Sequence, residues 1–251
     1  MKELAGRTAL VTGASRGIGA AIARLYAENG LRVMIGYIRD EDGADSTLAS
    51  LPGDGHLKFR ADIANPDNVR NMVDATVAEF GKLDILVNNA GIYEFQPFFM
   101  ESYEDWQASW KRTMDTNLHG AANASWCAIQ HFKAQGSGKI INVASRAAFR
   151  GETEAPAYAA SKAGMVLLTR CIGRSLATEN IFSYAIAPGW VETAMAREGM
   201  ETMREEIVSQ IPFGRIASVE DVAGVALFFA SDAANYLTGI TIDVNGASFL
   251  H

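Results

Sequence analysis

Short β-branched runs alternate with longer helical patterns along the whole chain, and few architectures accept that rhythm. Strands are expected at Thr8 to Thr12, Arg32 to Tyr37, His56 to Arg60, Ile85 to Val87, Lys139 to Ala144, Ile181 to Ala187 and Ile240 to Val244. Helices are expected at Gly17 to Asn29, Pro66 to Phe80, 102 to 134, 157 to 178 and 218 to 230. Alternation of this kind builds a parallel sheet with crossover helices on both faces. Runs such as DILV and KIINVA lack apolar/polar alternation, as strands covered on both faces do. The expected fold is α/β, one domain over residues 1–251, with a doubly wound parallel sheet of about seven strands. Ligands of such sheets sit outside the carboxyl ends of the strands, so the residues just after each strand carry the search for function.

Composition removes several classes of partner. The 22 Lys+Arg stand against 29 Asp+Glu, a net charge of −7 with no basic cluster, so nucleic acid is not expected. The longest apolar run, Val222 to Ala230, has 9 residues, about half of the roughly 18 that span a bilayer. No secretion signal is read at the N-terminus, where Lys2, Glu3 and Arg7 precede Gly13. Cys127 and Cys171 form neither a disulfide framework nor a zinc motif, so the expectation is a cytoplasmic protein without a metal. Small-molecule chemistry is the leading class.

The first strand runs into Thr12-Gly13-Ala14-Ser15-Arg16-Gly17-Ile18-Gly19, where a helix begins. Glycines allow a tight turn and close backbone approach, and a helix N-terminus presents unpaired N–H groups with partial positive charge. This is the chemistry of pyrophosphate recognition, and it makes the sheet a Rossmann-type dinucleotide fold. Two other readings exist: a structural glycine turn, or the G-x-S-x-G elbow of a serine hydrolase centred on Ser15. The hydrolase reading lacks a base, because His119 and His131 fall in a predicted helix and His251 ends the chain. At the end of the second strand, Tyr37 and Arg39 stand where a carboxylate would select NAD(H). With Arg16 they favour NADP(H), with NAD(H) as the alternative, unless Arg39 merely pairs with Asp40 or Glu41.

Tyr158 and Lys162 lie at i and i+4 on one helix face. A phenol of pKa about 10 needs roughly 4 kcal/mol of preferential phenolate stabilisation to work near neutrality, and a nearby ammonium can contribute to it. Ser145 follows directly on a strand thirteen positions earlier.

TGASRGIG at 12–19, Asp62-Ile63, Asn88-Asn89-Ala90-Gly91, Asn117, Ser145, Tyr158-x-x-x-Lys162 and Pro188-Gly189-Trp190-Val191-Glu192-Thr193 occur in an order and spacing that resembles the short-chain dehydrogenases/reductases over essentially the whole chain. The resemblance implies interconversion of a carbonyl and a secondary alcohol by hydride transfer. It makes Tyr158 the general acid or base, Ser145 the holder of the carbonyl oxygen, and Lys162 the group that lowers the Tyr158 pKa and binds the nicotinamide ribose. Asn117 would hold a relay water, or else brace its helix. For the cofactor it implies Gly13, Ser15, Arg16, Gly17, Ile18 and Gly19 at the diphosphate, Asp62 and Ile63 at the adenine, and Asn89, Ala90 and Gly91 at the ribose. Val191 and Thr193, with Pro188 and Gly189 beside them, would hold the carboxamide and diphosphate. Asn88 reads equally well as a strand brace.

The chain looks most similar to the 3-oxoacyl-carrier-protein reductases, yet Gly136 and Thr178 stand where that subgroup has basic residues for its acidic carrier. A small ketone or alcohol is therefore preferred to a 3-oxoacyl thioester, with Lys133, Lys139 and Arg174 keeping the carrier open. Substrate choice is expected from Tyr93, Glu94, Phe95, Gln96, Arg146, Phe149, Arg150 and Glu152. A lid is expected at about 190–212 with Gly199 as a hinge. Arg146 and Arg150 read more readily as solvated surface arginines than as anion ligands. A homo-oligomer, a tetramer by resemblance, is expected. The competing class is a dinucleotide-binding regulatory protein without turnover.

Overall fold

Every residue of β1 (Thr8–Thr12) is buried, as a central strand covered on both faces requires. In the computed structural model, which describes residues 4–250 but not the side chains of 197–202, β1 pairs in parallel with β2 (Arg32–Tyr37) on one side and β4 (Ile85–Asn88) on the other. The strands β3 (Leu57–Arg60), β5 (Gly138–Val143), β6 (Ile181–Pro188) and β7 (Thr241–Val244) complete one sheet in the order β3-β2-β1-β4-β5-β6-β7, all parallel. The order reverses between β1 and β4, so a crevice opens at their carboxyl ends.

Helices cover both faces. On one face, α1 (Gly17–Glu28) and α9 (Val219–Ala230) are tied by the Tyr26 hydroxyl, which donates to Ala226 O at 2.9 Å, and Tyr184 stacks on Phe229 at 4.5 Å. On the other, α3 (Pro66–Phe80) and α5 (Gly120–Gln135) pack Val69, Met72, Ala124, Ala128 and Phe132 against Leu10, Leu86 and Ile140. Local signals explain the boundaries. Asn65 caps α3 ahead of Pro66, Gly81 ends it at φ 80°, and Ser218 with Asp221 forms a capping box on α9. Among the described residues no helix is long and apolar enough to cross a membrane.

Four elements depart from expectation. The helix α2 (Glu41–Ala49) was not foreseen, because EDGADSTLA buries only Ala44 and Thr47 and so shows no apolar stripe. The single helix expected at 102–134 is α4 (Tyr103–Met114) and α5 joined by a π-helical turn over Asp115–His119. A short α6 (Ala147–Arg150) precedes α7 (Pro156–Leu176), which passes into a 3-10 turn at Ala177–Glu179 and stops at Asn180 in the left-handed region. The lid segment carries α8 (Arg197–Ser209), whose backbone breaks from helical geometry at Met203. Gly199 falls among the residues outside the side-chain description.

A buried polar chain fixes α7 on the sheet. Asn88 Nδ2 donates to Asn142 Oδ1 at 2.8 Å and to Ser125 Oγ at 3.0 Å, and Asn142 Nδ2 donates to Thr169 Oγ1 at 2.8 Å. Asn88 is thus a strand brace. An Asn142→Leu chain is expected to lose about 2–4 kcal/mol of stability, because it leaves Asn88 and Thr169 without their partner in the interior. Urea denaturation checks this; an unchanged midpoint contradicts it.

Candidate active site

A latch between the ends of β1 and β4, formed by residues far apart in sequence, braces one wall of the crevice. Thr12 Oγ1 donates to Val87 O at 3.2 Å and accepts from the backbone N–H groups of Asn89 and Ala90, both at 3.0 Å. Asn89 Nδ2 in turn donates to the carbonyls of Thr12 and Gly13, each at 2.9 Å. The Asn89 side chain therefore braces the two strand ends. Gly13 sits at φ 63°, and a Cβ there would lie 2.8 Å from Ala90 Cα, while a Cβ on Gly19 would come within 2.5 Å of Asn89 Nδ2. Glycine is required at both positions by the closeness of the two loops.

The start of α1, like those of α5 and α7, has no side-chain cap, in contrast to α3, α4 and α9. Asn65, Ser102 and Ser218 cap α3, α4 and α9 through their side chains, and each of those helices has an acidic residue in its first turn. At α1, Arg16 makes no side-chain cap and the first turn holds no acid. Uncapped N–H groups with the positive end of the helix dipole suit an anion. A cavity of about 410 Å³ lies there, between Ser15, Arg16 and Gly17 on one side and Glu192, Thr193 and Ala194 on the other. A dinucleotide diphosphate fits this donor set. Val191 is buried and bridged to Ala217, which aims Thr193 at Gly17. Pro188 ends β6, and Gly189 packs on Asn245.

At the carboxyl end of β2, Tyr37 is buried and its hydroxyl donates to Glu41 at 3.1 Å. Lys58 also binds Glu41, at 3.0 Å, and Asp40 caps α2 by accepting from Gly43 N. Asp40 lies 3.7 Å from Arg16. The alternative pairing of Arg39 with Asp40 or Glu41 is thereby corrected: both carboxylates are engaged by other groups, and Arg39 is exposed. Arg60, unremarked in the sequence, joins this end by donating from Nε to Ile38 O at 3.0 Å. Asp62 is exposed, while Ile63 is buried against Gly120.

The four residues read from spacing converge beside the crevice. Ser145 Oγ accepts from Ala147 N at 3.1 Å, and Ser145 pulls the Tyr158 pKa downward. Lys162, 4% exposed, donates from Nζ to Val143 O at 2.8 Å and lies 5.7 Å from the Tyr158 ring centre. Asn117 sits in the π-helical turn, where its amide accepts from Ile92 N at 2.8 Å and donates to Ile92 O at 2.9 Å and Ser161 Oγ at 3.2 Å. That side chain braces the loop after β4 against α7. A Cβ at Gly91 would fall 3.3 Å from Asn117 Oδ1 and 3.4 Å from Lys162 Nζ, so Gly91 faces both. Burial dominates the electrostatics. It pushes the Tyr158 phenol above its ordinary pKa against the pull of Ser145, and brings the Lys162 ammonium down to about 8. In this state the phenol is a neutral proton donor.

The mouth is partly prearranged. Tyr93 stands edge-on to Tyr158, ring centres 5.2 Å apart. Glu94, expected to contact substrate, is held instead by Arg112 at 2.8 Å and by Ser109 at 2.6 Å, and so anchors the loop to α4. Gln96 is fully buried, its backbone bonded to Glu154 O, while Phe95 is exposed and Arg150 pairs with Glu152 at 3.4 Å. Arg146 is 6% exposed, which corrects its reading as a solvated surface residue. Of the three basic groups that kept a carrier protein open, Lys133 and Arg174 are exposed, but Lys139 is buried and donates to Ser231 O. The hydrolase reading also loses its base among the described residues: His56, His119 and His131 bind Val33, Asp115 and Asp74. His251 lies outside the described residues.

A family model described as enoyl-(acyl carrier protein) reductase matches residues 13–247. The chain is 39% identical over 247 residues to a cis-4-hydroxycyclohexanecarboxylate dehydrogenase of Sinomonas cyclohexanicum, covering 98% of this chain and 97% of that one. It is 37% identical over 246 residues to a 3-oxoacyl-[acyl-carrier-protein] reductase of Staphylococcus aureus, covering 97% and 98%. A crystal structure of a short-chain dehydrogenase/reductase from Brucella melitensis superposes with a TM-score of 0.92 at 35% identity, covering all of both chains. With the sheet order, the uncapped glycine turn and the Ser145, Tyr158 and Lys162 cluster already in place, these likenesses assign the chain to the short-chain dehydrogenase/reductase family of oxidoreductases.

Proposed function

We propose that the protein is an NADP(H)-dependent oxidoreductase that interconverts a carbonyl and a secondary alcohol, with Tyr158 as the acid/base. The observation that carries this reading is the buried Lys162 ammonium 5.7 Å from the Tyr158 ring centre, one helical turn along, beside an uncapped glycine turn. A bound nicotinamide supplies the hydride chemistry. Gly13, Ser15, Arg16, Gly17, Ile18 and Gly19 would hold the diphosphate with Thr193, Val191, Pro188 and Gly189 toward the carboxamide. Asp62 and Ile63 would flank the adenine, and Asn89 to Gly91 the ribose. Ser145 donates to the substrate oxygen and orients it; Tyr158 delivers the proton to that oxygen in reduction and removes it in oxidation. Lys162 would stabilise the phenolate that results and would bind the nicotinamide ribose hydroxyls.

A relative that acts on a hydroxycyclohexanecarboxylate and another that acts on a 3-oxoacyl thioester frame the substrate range. We favour a small ketone or alcohol, because Lys139 is committed to the interior and the net charge is −7. A segment at about 190–212 would close over it, breaking at Met203. Trp126 and Leu167, 61% and 57% exposed on α5 and α7, support a homotetramer. Two unpaired cysteines suit a cytoplasmic site. The test is NADPH consumption measured across cyclic and linear ketones, oxo-acids with their esters, 3-oxoacyl thioesters and quinones. Turnover of at least one carbonyl class is expected; NADPH binding without turnover of any contradicts it.

Cofactor preference is separable. Arg39→Ala is expected to weaken NADPH binding roughly tenfold to hundredfold while leaving NADH within about twofold, because only the 2′-phosphate offers a charged partner. Equal losses for both cofactors, in a fluorescence titration, refute the arginine argument.

A further inference from the structure

Tyr93 is the aromatic ring in contact with Tyr158 among the described residues, edge-on to it with ring centres 5.2 Å apart. The loop that carries it is tied down on both sides. Before Tyr93, the Asn117 amide holds both the N–H and the carbonyl of Ile92, at 2.8 and 2.9 Å. After it, the Glu94 carboxylate accepts from Arg112 Nε at 3.1 Å, from Arg112 Nη2 at 2.8 Å and from Ser109 Oγ at 2.6 Å. Two residues further on, Gln96 N donates to Glu154 O at 2.7 Å, which joins the loop to the approach to α7, the helix of Tyr158. Anchors on the π-helical turn, on α4 and at the entry to α7 thus fix the backbone about position 93, and contact with Tyr158 fixes the ring. That ring is still 39% exposed. Burial of the rest pushes its phenol up to about 12, so the ring stays uncharged.

A fixed aromatic ring with part of its surface free is an apolar wall set before any substrate arrives. Its distance from Tyr158 is about the width of one ring, so the substrate atoms within its reach are those next to the carbonyl carbon and not a distant tail. A rigid ring gains most from such a wall. It presents its contact area in one piece, whereas an open chain must give up rotational freedom to cover the same surface. We propose that Tyr93 is a specificity-determining residue that packs on the ring of a cyclic ketone or alcohol while the carbonyl meets Ser145 and Tyr158, and that the Glu94–Arg112 pair holds Tyr93 in place for it. This rests on the carbonyl/alcohol chemistry proposed above and names its substrate class. The contact is made by the ring of Tyr93 and not by its hydroxyl, and Arg112, which reaches the site only through Glu94 and Tyr93, is a positioning residue.

The experiment compares cyclohexanone with hexan-2-one, its open-chain counterpart, as the ratio of their kcat/KM values in the wild type and in Tyr93→Ala, Tyr93→Leu, Tyr93→Phe and Arg112→Met. The two ketones differ in intrinsic reactivity, but that difference is common to every variant and cancels when ratios are compared. Tyr93→Ala is expected to lower the cyclic-to-linear ratio about tenfold, through KM for cyclohexanone, and Tyr93→Phe to keep it within about twofold. Arg112→Met is expected to lower it about threefold and to add nothing to Tyr93→Ala in the double variant, because both act through one ring. An unchanged ratio in Tyr93→Ala overturns the proposal. So does an equal fall in Tyr93→Phe, which assigns the effect to the hydroxyl, or an Arg112→Met loss that adds in full to that of Tyr93→Ala. Should Tyr93→Ala fail to fold, Tyr93→Leu decides: it keeps apolar bulk without the flat ring, so a lowered ratio is expected and an unchanged one overturns the proposal. Reduction of open-chain carbonyls without turnover of cyclohexanone defeats this inference alone, whereas failure of every carbonyl defeats the reaction class with it.

Discussion

A Tyr158→Phe chain is expected to fold, to bind NADPH with an affinity within about threefold of the wild type, and to reduce carbonyls roughly 10³-fold more slowly. The substitution removes one oxygen from a site whose other contacts persist. The ring still packs edge-on to Tyr93, and Ser145 still accepts from Ala147 N. What disappears is the proton donor aimed at the substrate oxygen, and water is a poor replacement in a crevice walled by two aromatic rings. Ser145→Ala is expected to cost less, about 10²-fold, because it removes a donor to the oxygen and not the proton itself. The two losses should not add, since both groups act on one atom. Single-turnover hydride transfer, followed by NADPH absorbance beside a thermal melt, separates chemistry from folding. Near-normal turnover in Tyr158→Phe removes the acid/base assignment, and a collapsed melt with the same loss of rate assigns the effect to structure.

Such a site was legible wherever one residue type had few uses. Glycines opening the first helix, a phenol and an amine one turn apart, and a serine closing a strand are short-range patterns, and the structure brings them to one crevice because β1, β4 and β5 are neighbours in the sheet. Strand positions were read well for the same reason: β1 and β2 are continuous apolar runs bounded by turn residues, and both match the expectation residue for residue. Features that depend on partners distant in sequence were hidden. The Thr12 latch needs residues 75 to 78 positions away, and the engagement of Glu94 by Arg112 needs a helix to return over a loop. A lone arginine after a strand reads as solvated, whereas the burial of Arg146 follows from Pro188 and Ser248, which arrive from other parts of the chain. The α2 helix escaped because two buried residues in nine leave no periodicity to detect.

Lys162→Met is expected to produce an enzyme that is more stable and far less active. Burial holds the Lys162 pKa at about 8, below the 10.5 of an exposed lysine. Between those values the unfolded chain binds more protons than the folded one, so wild-type stability rises with pH across that window and is lowest, on this account, below pH 8. The displacement corresponds to about 3 kcal/mol at neutrality, and losing the bond to Val143 O offsets about 1 kcal/mol, which leaves the cofactor-free methionine chain about 2 kcal/mol more stable at pH 7. Methionine retains the length and the apolar stem, so packing beside Met165 changes little. Denaturant titrations of both chains from pH 7 to 10.5 should show the advantage shrinking as the wild-type ammonium loses its proton in both states. A gap that does not vary with pH refutes the buried-ammonium argument. Activity should fall roughly 10²-fold or more at the same time, since the phenolate at Tyr158 loses its nearest cation and the ribose loses a donor. On the proposed reaction the destabilising charge serves the chemistry, and that trade is measurable as opposite changes in stability and rate from one substitution.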